Sequence, residues 1–151
     1  MTKKHLLRGA IALSIGLLFP SLGNFTPATA ANSVDDASSL WVVVNKSRPL
    51  NPLNYVPDNL VRVPSAGLNI NPFGRKLEKR AAYALVQLAK GLYRADRGKL
   101  LVQSGYRSYV EQKAVHGRLV SKYGLVKGEK YAARTGFSEH QTGLAVDVSA
   151  R

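Results

Sequence analysis

Between residues 77 and 92 the apolar positions Leu77, Ala81, Leu85, Leu88 and Leu92 recur at steps of four, four, three and four residues. This spacing puts one apolar stripe along a helix. Lys76, Lys79, Arg80, Gln87 and Lys90 fall largely elsewhere, and Gly98 is the expected stop. Leu100 to Ser104 reads as a strand running into Gly105-Tyr106-Arg107. A second helix is expected from Tyr109 to about Tyr123. Ser108 and Glu111 stand at capping-box spacing, where each side chain satisfies the other's orphan backbone amide, and Gly124 marks the end. Val110, Ala114, and Leu119 or Val120 with Tyr123 would form its buried side. A short helical turn is expected around Glu129 to Ala133. Leu144, Val146 and Val148 alternate with Ala145 and Asp147, which is the period of a strand.

The first half of the chain is patterned differently. Trp41 to Val44 is a short apolar, β-branched run and reads as a strand. The stretch 45–73 carries five prolines with many Asn and Ser, so extended loops wrapping the core are expected. At the N-terminus, Lys3, Lys4 and Arg8 precede an apolar run from Ala10 to Phe19, then Pro20 and Ala28-Thr29-Ala30. That order fits a secretion signal cleaved after Ala30, and the run falls short of the ~20 residues a membrane span needs. The expected organisation is a signal peptide at 1–30, a linker at 31–40 and one domain at 41–151. The expected class is α+β: a small antiparallel sheet with helices packed on one side, incomplete at the C-terminus.

Charge narrows the choice of partner. The 151 residues hold 22 Lys and Arg against 9 Asp and Glu, a net +13. Loss of Lys3, Lys4 and Arg8 with the signal still leaves 19 against 9, a net +10. An exported basic protein meets the acidic polymers and peptide carboxylates of the cell envelope first. The charges are scattered, without a Lys/Arg block or interleaved aromatics, which argues against nucleic acid as partner. The expected location is extracellular, periplasmic or wall-associated, as a monomer with no stable membrane insertion after signal cleavage. There is no cysteine, so disulfides, thiolate metal sites and cysteine nucleophiles are excluded, and any metal must be held by His and carboxylates.

The chemistry concentrates in Ser138-Glu139-His140-Gln141-Thr142-Gly143-Leu144-Ala145-Val146-Asp147. His140 is expected on a loop and Asp147 on the strand that follows. A carboxylate flanked by apolar residues in a central strand needs a cation beside it. Spacing alone leaves open an Asp–Arg pair, an Asp–His pair, or a metal with His140 as second ligand; nitrogen and oxygen donors of this kind suit zinc. His116, four residues after Gln112 on one helix face, reads as a solvated or partly buried helix histidine.

Ser138, His140, Gly143, Ala145 and Asp147, at these spacings, resemble the signature of the VanY-type D-alanyl-D-alanine carboxypeptidases, zinc peptidases related to VanX-type dipeptidases. Ser104-Gly105-Tyr106-Arg107-Ser108 with Gln112 resembles a second motif of that family, and Val44-Asn45-Lys46 and Tyr55-Val56-Pro57 resemble its N-terminal extended region. The resemblance implies that His140 and Asp147 are two of three zinc ligands. It implies that Arg107 stabilises the developing oxyanion, that Ser138 and Gln112 contact substrate, and that Ser104 and Tyr106 serve as supports. The implied substrate is a peptidoglycan stem peptide losing its terminal D-Ala. The resemblance also implies a general-base Glu and a third ligating His downstream of Asp147, and the sequence ends at Arg151 ahead of any such stretch. Impaired activity is therefore expected. The alternatives are a non-catalytic peptidoglycan-binding protein and a related peptidoglycan endopeptidase.

Overall fold

Apolar residues of two small sheets and one long helix meet in the principal core of the fold. A computed structural model describes residues 33–65 and 67–150, and the expected signal peptide lies outside them. The elements are β1 (Leu60–Arg62), β2 (Asn69–Ile70), β3 (Lys76–Glu78), α1 (Lys79–Arg94), β4 (Leu100–Ser104), α2 (Tyr109–Tyr123), α3 (Leu125–Tyr131) and β5 (Asp147–Ala150). Single 3₁₀ turns at Pro72–Gly74 and Glu139–Thr142 complete them. The class is α+β. The pairing is not purely antiparallel, however: β1 pairs antiparallel with β3, whereas the second sheet, in order β2-β4-β5, joins a parallel to an antiparallel pair.

The first helix starts two residues later than its expected stripe, because Leu77 belongs to β3. Glu78 caps it, accepting from Arg80 N at 2.7 Å and Ala81 N at 3.4 Å. Its buried face is Ala82, Leu85, Val86 and Ala89, and Leu88 is exposed. The stripe keeps helical spacing but is rotated about one position, so two alanines and a valine let the helix approach the sheet closely. This face closes over Val63, Leu68, Leu77, Leu100 and Val102.

The helix α2 begins with the expected capping box and ends at Gly124. Its expected buried side is corrected: Val110 and Ala114 are exposed, and the one fully buried residue is polar, Gln112. Leu119 and Val120 are half-buried toward α3. There Gly128 runs so close that a Cβ would lie 2.7 Å from Val120 Cα. The helical turn expected at 129–133 lies a few residues earlier, as α3.

Trp41 to Val44 forms no strand. Trp41 is exposed, and Val44 joins Ala37 and Leu50 in a second small cluster. The described part of the expected linker, 33–40, folds as hydrogen-bonded turns that bury Ala37 and Ser39. The last strand is also shorter than expected, because Leu144 to Val146 are irregular and β5 starts at Asp147.

Candidate functional site

The strand β3 organises the site by its backbone. Glu78 N–H donates to Gly143 O at 2.9 Å, and Lys76 O accepts from Tyr106 N–H at 2.8 Å. One strand thus fixes both the loop carrying His140 and the turn carrying Arg107. Arg107 N–H donates in turn to His140 O at 3.1 Å, which ties the two segments directly.

Two glycines permit this convergence. A Cβ at Gly105 would lie 2.6 Å from Lys76 O, so no side chain fits between β4 and β3 there. Gly143 ends the 3₁₀ turn at φ 72°, a left-handed conformation that favours glycine. Gln141, fully buried, donates from Nε2 to Leu53 O at 2.7 Å and Tyr55 O at 3.1 Å, pinning the turn to the N-terminal loops.

His140 is held by its Nδ1, 2.8 Å from Gly105 O. A carbonyl can only accept, so Nδ1 carries the proton and Nε2 faces outward. Nε2 lies 3.3 Å from Asp147 Oδ2. With Nδ1–H committed, a neutral ring turns a lone pair toward a carboxylate. Two acceptors at that distance repel unless a proton or a metal cation lies between them. This arrangement matches the usual outer-shell orientation of a metal-binding histidine, whose second nitrogen donates to a carbonyl.

Asp147 differs from expectation in its setting. Its side chain is 61 % exposed, at the start of a strand paired only with β4 among the described residues. Burial therefore does not demand a cation here, contrary to the expectation for a central strand. What places Asp147 is the register: a bulge between Val102 and Ser104 sets Ser104 opposite Asp147. Bulges of this kind re-aim side chains at sheet margins.

Arg107 is half-buried and bound to neutral groups. Its Nη1 donates to Gln112 Oε1 at 3.0 Å, and its Nη2 to Ser104 Oγ at 3.0 Å. Its side chain pairs with Ser104 and Gln112, not with Asp147. Gln112 is 1 % exposed and also donates from Nε2 to Ala133 O at 2.6 Å. Both ends of the amide of Gln112, expected among the substrate contacts, are thus engaged within the chain. Ser138 is buried at the head of the 3₁₀ turn, and its hydroxyl makes no capping bond there.

A cavity of about 740 Å³ opens beside this cluster; Ser104, Tyr106 and Arg107 form part of its wall, and His140 and Asp147 lie outside its lining. Burial, and next the charge of Glu111, pushes the Tyr106 phenol above its ordinary value. His116 sits apart, partly buried between α2 and α3, with Nε2 3.9 Å from Glu129 Oε1.

The donor set fits two positions of a four-coordinate zinc site. Among the described residues no group of three or more His, Cys, Asp or Glu gathers to complete it. The residues that sequence reasoning missed are Gln141, Glu78 and the backbone of Gly105. A glycine closing a strand just ahead of a polar motif was the available signal for the last.

The sequence model described as VanY D-alanyl-D-alanine carboxypeptidase matches residues 74–151. A curated relative, the putative carboxypeptidase YodJ of Bacillus subtilis (strain 168), is 36% identical over 124 residues, covering 79% of this chain and 43% of its own. The solved LdcB LD-carboxypeptidase, whose structure concerns peptidoglycan recognition, superposes with a TM-score of 0.63 at 36% identity, covering 76% of this chain and 51% of that one. A mutant of the vancomycin-resistance D,D-pentapeptidase VanY, from the VanB-type cassette and in complex with Zn(II), gives 0.57 at 28% identity, covering 72% and 60%. The chain thus spans about half the length of the relatives it matches.

Proposed function

The chain belongs to the VanY D-alanyl-D-alanine carboxypeptidase family, and on that footing we propose that it serves as a zinc-dependent carboxypeptidase removing the terminal D-Ala of peptidoglycan stem peptides outside the cell. The observation that carries this reading is His140, with Nδ1–H committed to Gly105 O and Nε2 turned to Asp147 at 3.3 Å. His140 and Asp147 would hold the metal, and zinc, when bound, supplies the Lewis acidity that peptide hydrolysis needs.

The remaining roles fall to the chain's own side chains. Arg107, with two guanidinium arms fixed by Gln112 and Ser104, presents its positive charge toward the substrate carbonyl, where negative charge develops during hydrolysis. Ser138, whose hydroxyl makes no cap bond in its own turn, would contact the peptide. Gln112 and Ser104 position Arg107. Because both motifs are tied through β3, the distance between Arg107 and His140 is set by backbone bonds rather than by flexible side chains.

A second reading is favoured by the likeness to the LdcB LD-carboxypeptidase: cleavage of D-Ala from a residue of L configuration. Elemental analysis of the purified chain beside His140→Ala tests the metal, and D-Ala release from peptides ending in D-Ala-D-Ala or in an L-residue followed by D-Ala tests the bond. Zinc near one per chain, absent from the variant, and D-Ala from the first peptide support the primary reading. Release from the second peptide alone selects the L,D reading, zinc with no release from either leaves a binding protein, and zinc no higher than in the variant overturns the metal site.

A further inference from the structure

The cavity beside Arg107 is lined by four more cations, Arg62, Arg75, Lys76 and Arg118, and by a single carboxylate, Glu111. Glu111 is already committed, accepting from Ser108 N at 2.8 Å and Ser108 Oγ at 2.7 Å. None of the four cations has a carboxylate within 4.0 Å among the described residues. Arg107 itself is bound only to neutral oxygens. Five positive charges against one carboxylate leave the recess net positive and focus a field that an anion relieves.

The recess is not purely ionic. Pro72, Val115 and Phe73, the last 78 % exposed, line it as well. A volume of about 740 Å³ lies within the ~300–1,000 Å³ that ligand sites occupy. The wall therefore suits a chain with several anionic groups and apolar side chains between them. Planar guanidinium forks match carboxylates in pairs. Phosphate polymers would satisfy the charge but leave the apolar wall unused. The recess also opens onto Arg107, so a ligand lying in it is continuous with the candidate site.

We infer that this cavity is a second anion subsite, built by Arg62, Arg75, Lys76 and Arg118, that takes an acidic peptide segment and selects stem peptides with free carboxylates remote from the scissile end. The inference rests on the proposed peptide substrate. Calorimetric titration of the intact chain compares two peptides, both ending in D-Ala-D-Ala, whose upstream carboxylates are either free or amidated. The free-acid peptide is expected to bind at least about tenfold tighter. Arg75→Gln with Arg118→Gln, two exposed side chains, is expected to bring the ratio near one. Lys90→Gln with Arg94→Gln, the same charge removed from α1, is expected to leave it intact. Backbone-amide NMR shifts on adding the acid peptide are expected at Lys76, Tyr106 and Arg118.

A ratio within about twofold, an equal fall in both variants, or shifts confined elsewhere overturns the subsite. Tighter binding of linear polyphosphate than of the acid peptide overturns the peptide assignment. Failure of the proposed hydrolysis is distinguishable, because both peptides share one scissile end and their ratio reads only the upstream charges.

Discussion

Replacing Gln112 by alanine removes the buried side chain that links Arg107 to the loop after α3. Gln112 Oε1 accepts from Arg107 Nη1 at 3.0 Å, while its Nε2 donates to Ala133 O at 2.6 Å. A hydrogen bond to a charged group contributes about 1.5–3 kcal/mol and a neutral one about 0.5–1.5 kcal/mol. The truncation is therefore expected to cost about 2–4.5 kcal/mol, a large share of the ~5–15 kcal/mol by which small domains are stable. Gln112→Met keeps most of the volume while losing both bonds, and separates their loss from that of packing. Urea denaturation followed by circular dichroism measures each variant. A cycle with Arg107→Met isolates the pair, with an expected coupling of about 1.5–3 kcal/mol. A coupling below about 0.5 kcal/mol would show that Arg107 is held by Ser104 and the backbone alone, and the assignment of Gln112 as its positioning residue would fall.

Gly105→Ala is expected to lower stability by about 1–3 kcal/mol, the cost of overpacking, because its Cβ would meet Lys76 O at 2.6 Å. An unchanged denaturation midpoint would mean that β3 and β4 part freely there. The capping box gives a pH dependence. Hydrogen bonds from the Ser108 side chain, then from its backbone, hold Glu111 below its ordinary 4.5. Its stabilisation is thus complete above pH 4.5 and fades as pH falls through the lowered value. Glu111→Gln should be less stable than the native chain at pH 7, and the gap should close in acid; a gap constant down through that range would refute the box as its source.

The local signals proved most readable where each element's own residues decide it. Ser108 and Glu111 announce α2 because capping is satisfied within four residues, and Leu100 to Ser104 is a strand by its own pattern. The α1 stripe was legible in period but misplaced in phase, because the β3 pairing with β1 claimed Leu77. Trp41 to Val44 has strand composition, yet its neighbours supply turns rather than a partner strand. For the site, the two motifs named Arg107, His140 and Asp147. The exposure of Asp147 and the burial of Gln112 were not readable, because they depend on which strand ends the sheet and which helix face meets the core.

The burial of Gln112 also explains why α2 lacks the apolar face expected from its sequence. Its inward position is occupied by a polar group whose two ends are both bonded, so the helix contributes orientation where α1 contributes core. A satisfied buried amide is directional in a way that a leucine is not. The guanidinium it holds sits at the junction of the basic recess and the His140 loop, linked to that loop by Arg107 N–H. Stability and site geometry therefore depend on the same bonds: a change that loosens α2 is expected to displace Arg107, and a change in the α1 core, at Leu85 or Ala89, reaches the site through Leu77 of β3 and Val102 of β4, which share that core.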